Sequence, residues 1–280
     1  MKRRNRRKRK QILRTAVFII GGVSVFSALV LGLLFSKDRR AIPEEEKKAV
    51  VAITKAPSPI PVMTVAPTSN PEEEIYTYLQ GPKSWAGGIE WSGEWGEAYA
   101  DGGYFGSFGC GLCCLANVYS SQTEYQCSPM DMYGYAKKST YYSGGMAIDW
   151  GYMRRTLTSL GFDCRVEKKP PTYEQFVEDI AEAECSIVLV SSANSQVYWQ
   201  NTPGHYVTIF LYDAEREKVF LADSGDPEHN RQWIKLRKIY KSLKTSSSWQ
   251  YLSVGTYDET KDQWKHKKIN GNWVAPEKFQ

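Results

Sequence analysis

Three short apolar runs in the second half of the chain limit its fold more than any other feature: SIVLVS at 186–191, HYVTIFLY at 205–212 and KVFLAD at 218–223. All are rich in β-branched and aromatic residues, which suit a pleated strand, and the polar DAERE between the last two fits a hairpin. Upstream the pattern is helical. Residues 111–121 suit a short helix, and 148–160 place Trp150, Met153, Leu157 and Leu160 on one face before a stop at Gly161. Thr172 with Gln175 makes a capping box ahead of a helix carrying Phe176 and Ile180 one turn apart. Helices first and strands later favour an α+β fold over alternating α/β, with an antiparallel sheet packed against helices.

The formal net charge of +5 is local, because nine of the 36 Lys and Arg residues lie between Lys2 and Arg14. Removing those nine takes the charge from +5 to about −4 for the rest, so no nucleic-acid-binding surface is implied. The basic segment 1–15 instead flanks residues 16–35, a 20-residue stretch without a charged side chain. As a helix it would be about 30 Å long, the thickness of a bilayer core. With the basic residues upstream, the positive-inside rule predicts an uncleaved signal-anchor: a single pass through the cell membrane, N-terminus cytoplasmic and the remainder extracytoplasmic. Residues 36–74 carry six prolines and no helical period, and read as a linker. A single folded domain is expected over 75–260, followed by a basic C-terminal tail at 261–280 that reads as solvated.

The chemistry concentrates in FGCGLCCLANVY at 108–119, which sets Cys110 between two glycines at the start of a helix. Glycines allow a sharp turn and close approach of a substrate, and a helix N-terminus favours the thiolate. One of only three histidines, His205, opens a strand after the Pro203-Gly204 turn pair. Asp223 closes the partner strand eighteen residues later, and an antiparallel return brings it back to the level of His205, where a carboxylate orients an imidazole. Asp226 is the alternative carboxylate.

These segments resemble the bacteriocin-processing-type, double-glycine peptidase-like cysteine peptidases, a papain-like family, over roughly residues 78–223. Gly109-Cys110-Gly111, Leu115-Ala116, Val118, Gly204-His205 and Asp223 match that family's motifs in register. Leu112, Cys113 and Cys114 stand where Pro-Thr-Ser is usual, and Ala222 replaces an Asn. The resemblance implies a papain-like fold with an N-terminal helical part packed on a C-terminal antiparallel sheet. It also implies Gln80, in Tyr-Leu-Gln-Gly-Pro, as an oxyanion-hole donor. No G-x-x-x-x-G-K-[ST] segment for ATP is present, so the chain is not a peptidase fused to an exporter.

The activity expected is hydrolysis of peptide bonds by Cys110, His205 and Asp223 through a thioester, with no cofactor and no metal. A peptide or protein, including a cell-wall peptide, is the expected substrate; a peptidoglycan-directed amide hydrolase and a non-catalytic surface scaffold with a relict triad are the alternatives. Of the five other cysteines, Cys114 with Cys127 and Cys164 with Cys185 are candidate bridges, and a zinc site at Cys110, Cys113 and Cys114 lacks a second ligand pair. Trp85, Trp91, Trp95, Tyr76, Tyr78, Tyr99 and Tyr104 crowd the approach to Cys110, mostly as core.

Overall fold

The computed structural model describes residues 70–194 and 198–280. Its longer helices are α1 (Cys110–Gln122), α2 (Pro129–Thr140), α3 (Trp150–Ser159), α4 (Tyr173–Glu182) and α5 (Leu236–Ser242). Six strands form one sheet: β1 (Phe162–Glu167), β2 (Cys185–Val190), β3 (His205–Asp213), β4 (Lys218–Ala222), β5 (Gln232–Lys235) and β6 (Tyr251–Tyr257). They pair antiparallel throughout in the order β1-β6-β2-β3-β4-β5. The α+β reading therefore holds.

Side-chain alternation explains why the central strands read as unbroken apolar runs. Ile187 and Leu189 of β2 face one core with Tyr206, Phe210 and the residues of α1, α2 and α3. Val188 and Val190 face the other, with Val207, Ile209, Val219 and Leu221, against Phe176 and Ile180 of α4 and Ile239 of α5. A strand buried on both faces needs apolar residues at every position. The sheet is thus the middle layer between two layers of helix.

Helix α1 is buried from Cys110 to Ser120 and lies against β3. A helix enclosed on all sides has no polar stripe, hence the small and apolar sequence GLCCLANV. Gly111 lets it sit close: a Cβ there would lie 2.6 Å from Ile148 and 3.3 Å from Tyr206. The expected start at residue 111 moves back one position. Thr172 accepts a hydrogen bond from Gln175 N (3.2 Å) at the start of α4, and Gly161 follows α3 with φ +88°. Helix α2 went unpredicted, although Ser128 and Asp131 form its capping box across Pro129.

The expected tail is part of the body. Trp273–Val274 pairs with Ser92–Gly93, and Trp264, Ile269, Trp273 and Phe279 pack on the main core. Their spacing among lysines hides this from periodicity: Trp264 packs with Tyr119 and Tyr135, whereas Trp273 and Phe279 both meet Trp91. At the other end, Arg231 donates to the carbonyls of Ile75 (2.7 Å) and Glu72 (2.6 Å), so the last residues assigned to the linker belong to the fold.

The expectation of a signal-anchored, single-pass membrane protein is corrected. No helix among the described residues is long and apolar enough to cross a membrane. The longest, α1, has 13 residues and spans about 20 Å, against about 30 Å of hydrocarbon. Residues 16–35, on which that expectation rested, lie outside the described residues. The candidate bridges are corrected as well: all six cysteines are free. No cluster able to hold a metal ion occurs among the described residues.

Candidate active site

The site forms at one end of the sheet, where the first residue of α1, the first of β3 and the residue after β4 converge. Cys110 is 9% exposed at the N-terminus of α1, with Gly109 as N-cap. Burial pushes its thiol up, but the hydrogen-bonding and charge of His205 and backbone hydrogen bonds at Tyr206 and Gly111 outweigh it, leaving the thiol below its ordinary value. Burial pushes Cys113, Cys114 and Cys127 well up, and it raises Cys164 and Cys185 too. Only Cys110 among the six is shifted toward thiolate.

His205 and Asp223 meet as the strand pairing requires. Thr208 pairs with Ala222, so His205 and Asp223 stand near each other where β3 begins and β4 ends. His205 Nε2 lies 2.8 Å from Asp223 Oδ1. Gly225 makes room for the ring: a Cβ at that position would come within 2.9 Å of His205 Cε1 and Nε2. Burial alone lowers the imidazole's proton affinity, but the charge and hydrogen bond of Asp223, with Cys110, raise it to about 10.

Asp223 is 1% exposed, and such a carboxylate is tolerated only with its lone pairs occupied. Oδ1 accepts from His205 and from Gly225 N (3.0 Å), while Oδ2 accepts from Trp199 Nε1 (2.9 Å). His229 Nδ1 stands 3.6 Å from Oδ2. Burial raises the carboxyl, but the charge and hydrogen bonding of His205, with His229 and Trp199, hold it well below the usual carboxylate range. The Asp223 N–H donates to Asn230 Oδ1 (3.1 Å), and Asn230 Nδ2 donates to Thr77 O (2.8 Å). Asp226, the alternative carboxylate, lies on the surface and caps Glu228 N instead.

Gln80 connects the two halves of the site. Its Nε2 donates to Gly106 O (3.0 Å), one turn ahead of Cys110, and its Oε1 accepts from Ser224 Oγ (2.9 Å), beside Asp223. Its backbone N–H also donates to Ser224 O (2.8 Å). All four residues singled out in the sequence therefore belong to one neighbourhood.

Sequence reasoning missed Trp199, His229, Asn230 and Gly225. Trp199 and His229 lie in loops whose spacing has no period, and only their nearness to His205 and Asp223 in the chain hinted at a role. Of the aromatics near Cys110, Tyr76, Tyr78, Trp91 and Trp95 are buried, whereas Tyr99 and Tyr104 are exposed and meet edge-on at 5.0 Å. No protein-family model and no curated protein matches the chain.

Proposed function

We propose that the chain is a cysteine peptidase or related amide hydrolase of papain-like architecture, with Cys110 as nucleophile, His205 as acid–base and Asp223 as the residue that orients it. The observation that carries this reading is a lowered thiol at a helix N-terminus facing an imidazole whose far nitrogen is held by a buried carboxylate. A structural cysteine buried to this degree is expected to have its thiol raised, as the other five do.

The chemistry follows from that arrangement. Asp223 occupies Nε2 of His205, leaving Nδ1 to serve the thiol. The thiolate attacks a peptide or amide carbonyl, forming a C–S bond while the carbonyl electrons move to oxygen. Backbone N–H groups at the start of α1 and the second amide hydrogen of Gln80 are donors suited to that oxyanion. His205 gives its proton to the departing amine as the C–N bond breaks. Water, deprotonated by the same ring, then hydrolyses the thioester. No cofactor enters.

The test is incubation of the purified chain with a proteome-derived peptide library, read by mass spectrometry of new termini. The reading expects new termini with the wild type that vanish in Cys110→Ala and His205→Ala. Cleavage that persists in Cys110→Ala would overturn it. So would a wild type that neither cleaves nor forms an adduct with peptidyl electrophiles; that pair of results would indicate a non-catalytic module.

A further inference from the structure

The nucleophile does not stand alone on its helix. Cys110-Gly111-Leu112-Cys113 is a Cys-x-x-Cys sequence in the first turn of α1, and the Cys110–His205–Asp223 chemistry leaves Cys113 unused. Residues three apart on an α-helix have Cα atoms about 5 Å apart, from a rise of 1.5 Å per residue and a radius of 2.3 Å. A disulfide spans Cα separations of about 4.4–6.8 Å. Side chains on a helix also tilt toward its N-terminus, which directs Cys113 back to Cys110.

The surroundings of the two cysteines suit such a bridge. Cys113 is fully buried, so its sulfur is shielded from external reagents and has Cys110 as a neighbour whose charge it feels. Cys114, one position further along the helix, is hydrogen-bonded at its sulfur to Thr208 of β3 and feels the charges of Cys110 and of Cys185 of β2, while the sulfur of Cys113 is hydrogen-bonded to Ser224 beside Asp223. Cys110 keeps a trace of solvent access at 9%, which suffices for a small oxidant.

We propose that Cys110 and Cys113 form a reversible dithiol–disulfide modification site that converts the nucleophile to an inactive, protected form under peroxide. This rests on the reading of Cys110 as an activated thiolate. The Cys110 thiolate attacks one oxygen of hydrogen peroxide; an S–O bond forms, the O–O bond breaks and hydroxide leaves, so sulfur is oxidised by two electrons to the sulfenic acid and peroxide is reduced. The Cys113 thiol then attacks the sulfenyl sulfur. An S–S bond forms, the S–O bond breaks, and the thiol proton leaves with that oxygen as water. Burial holds Cys113 in its neutral thiol form, so the site rests reduced until the sulfenic acid is present. A dithiol reductant reverses the bridge and restores the nucleophile.

The experiment treats the reduced full chain with hydrogen peroxide, blocks remaining thiols with N-ethylmaleimide, and maps every cysteine by fragment-ion mass spectrometry before and after dithiothreitol. The wild type is expected to lose Cys110 and Cys113 together, with a loss of two hydrogens and no added oxygen, and to recover Cys110 alkylation fully in dithiothreitol. Cys113→Ala and Cys113→Ser are expected to carry Cys110 on to the sulfinic acid, with alkylation lost for good, while Cys114→Ala behaves as wild type. A bridge from Cys110 to Cys114, or irreversible oxidation of the wild type at the rate of Cys113→Ala, would overturn the proposal. Cys110 that alkylates rapidly but never bridges sinks this inference alone; Cys110 inert to both peroxide and alkylation sinks the nucleophile reading with it.

Discussion

Asp223 is the residue on which the site's electrostatics turn. A buried carboxylate survives only because four groups surround it, and each removal has a distinct signature. Trp199→Phe deletes one hydrogen bond to the charged group while leaving most of the packing, and is expected to cost about 1–3 kcal/mol in denaturant unfolding. A cost near zero would mean that Oδ2 is satisfied without the indole. His205 gives a pH signature. Its folded value, raised to about 10 by Asp223 after burial has pulled the other way, lies above the unfolded value of about 6.5. The stability that it contributes is therefore fully present below about pH 6.5 and is lost as pH rises toward 10. Asp223 acts at the other end: its carboxyl is held low, so its contribution is present above about pH 4 and is lost as pH falls. Unfolding free energies across pH 6–10 are expected to decline in wild type and to decline less in His205→Gln; parallel slopes would contradict the coupling.

At the scale of elements, local signals and long-range pairing contributed differently to what the sequence disclosed. The two-sided burial of β2 and β3 made their runs visible, and Thr172 and Gly161 marked helix boundaries through capping and left-handed backbone, whereas the N-cap Asp149 was not read from the sequence. Thr172→Ala is expected to cost about 1 kcal/mol, measured by urea unfolding, because Gln175 N then loses its acceptor. The hairpin of β3 and β4 was legible enough to place Asp223 beside His205. What stayed hidden depends on contacts far apart in sequence. Asn230 buttresses the Asp223 backbone from Thr77, and β1 is held by β6 across some ninety residues, neither of which leaves a periodic trace. Gly225 is a further case: its value lies in the missing Cβ under the His205 ring. Gly225→Ala is expected to displace that ring and slow Cys110 alkylation at pH 6 by about tenfold, the effect of one unit in thiol pKa. Unchanged alkylation would show that the ring tolerates the added methyl.

At the scale of the whole fold, the described residues form a sheet enclosed by helices on both faces, with both ends of the described chain packed against it. In the sequence, residues 261–280 read as a solvated tail because their lysines mask four apolar anchors, yet Trp273 meets Tyr78 and Trp91 within 6.0 Å. Trp273→Ala is expected to cost about 2 kcal/mol, less than the ~3–5 of a fully buried Trp, and to lower Tm by about 4–8 °C in a calorimetric scan. A shift below about 1 °C would return this segment to the role of a tail. The site sits where α1, β3 and β4 meet, so its geometry depends on the sheet being closed between its helical layers. The most direct test of the central claim is the rate of Cys110 alkylation by limiting iodoacetamide in the full chain, followed from pH 4 to 9 and compared with His205→Ala. The account predicts selective labelling of Cys110 well below the ordinary thiol value of about 8.5, lost in the variant. Labelling of Cys110 no faster than the other five cysteines, or unchanged without His205, would contradict it.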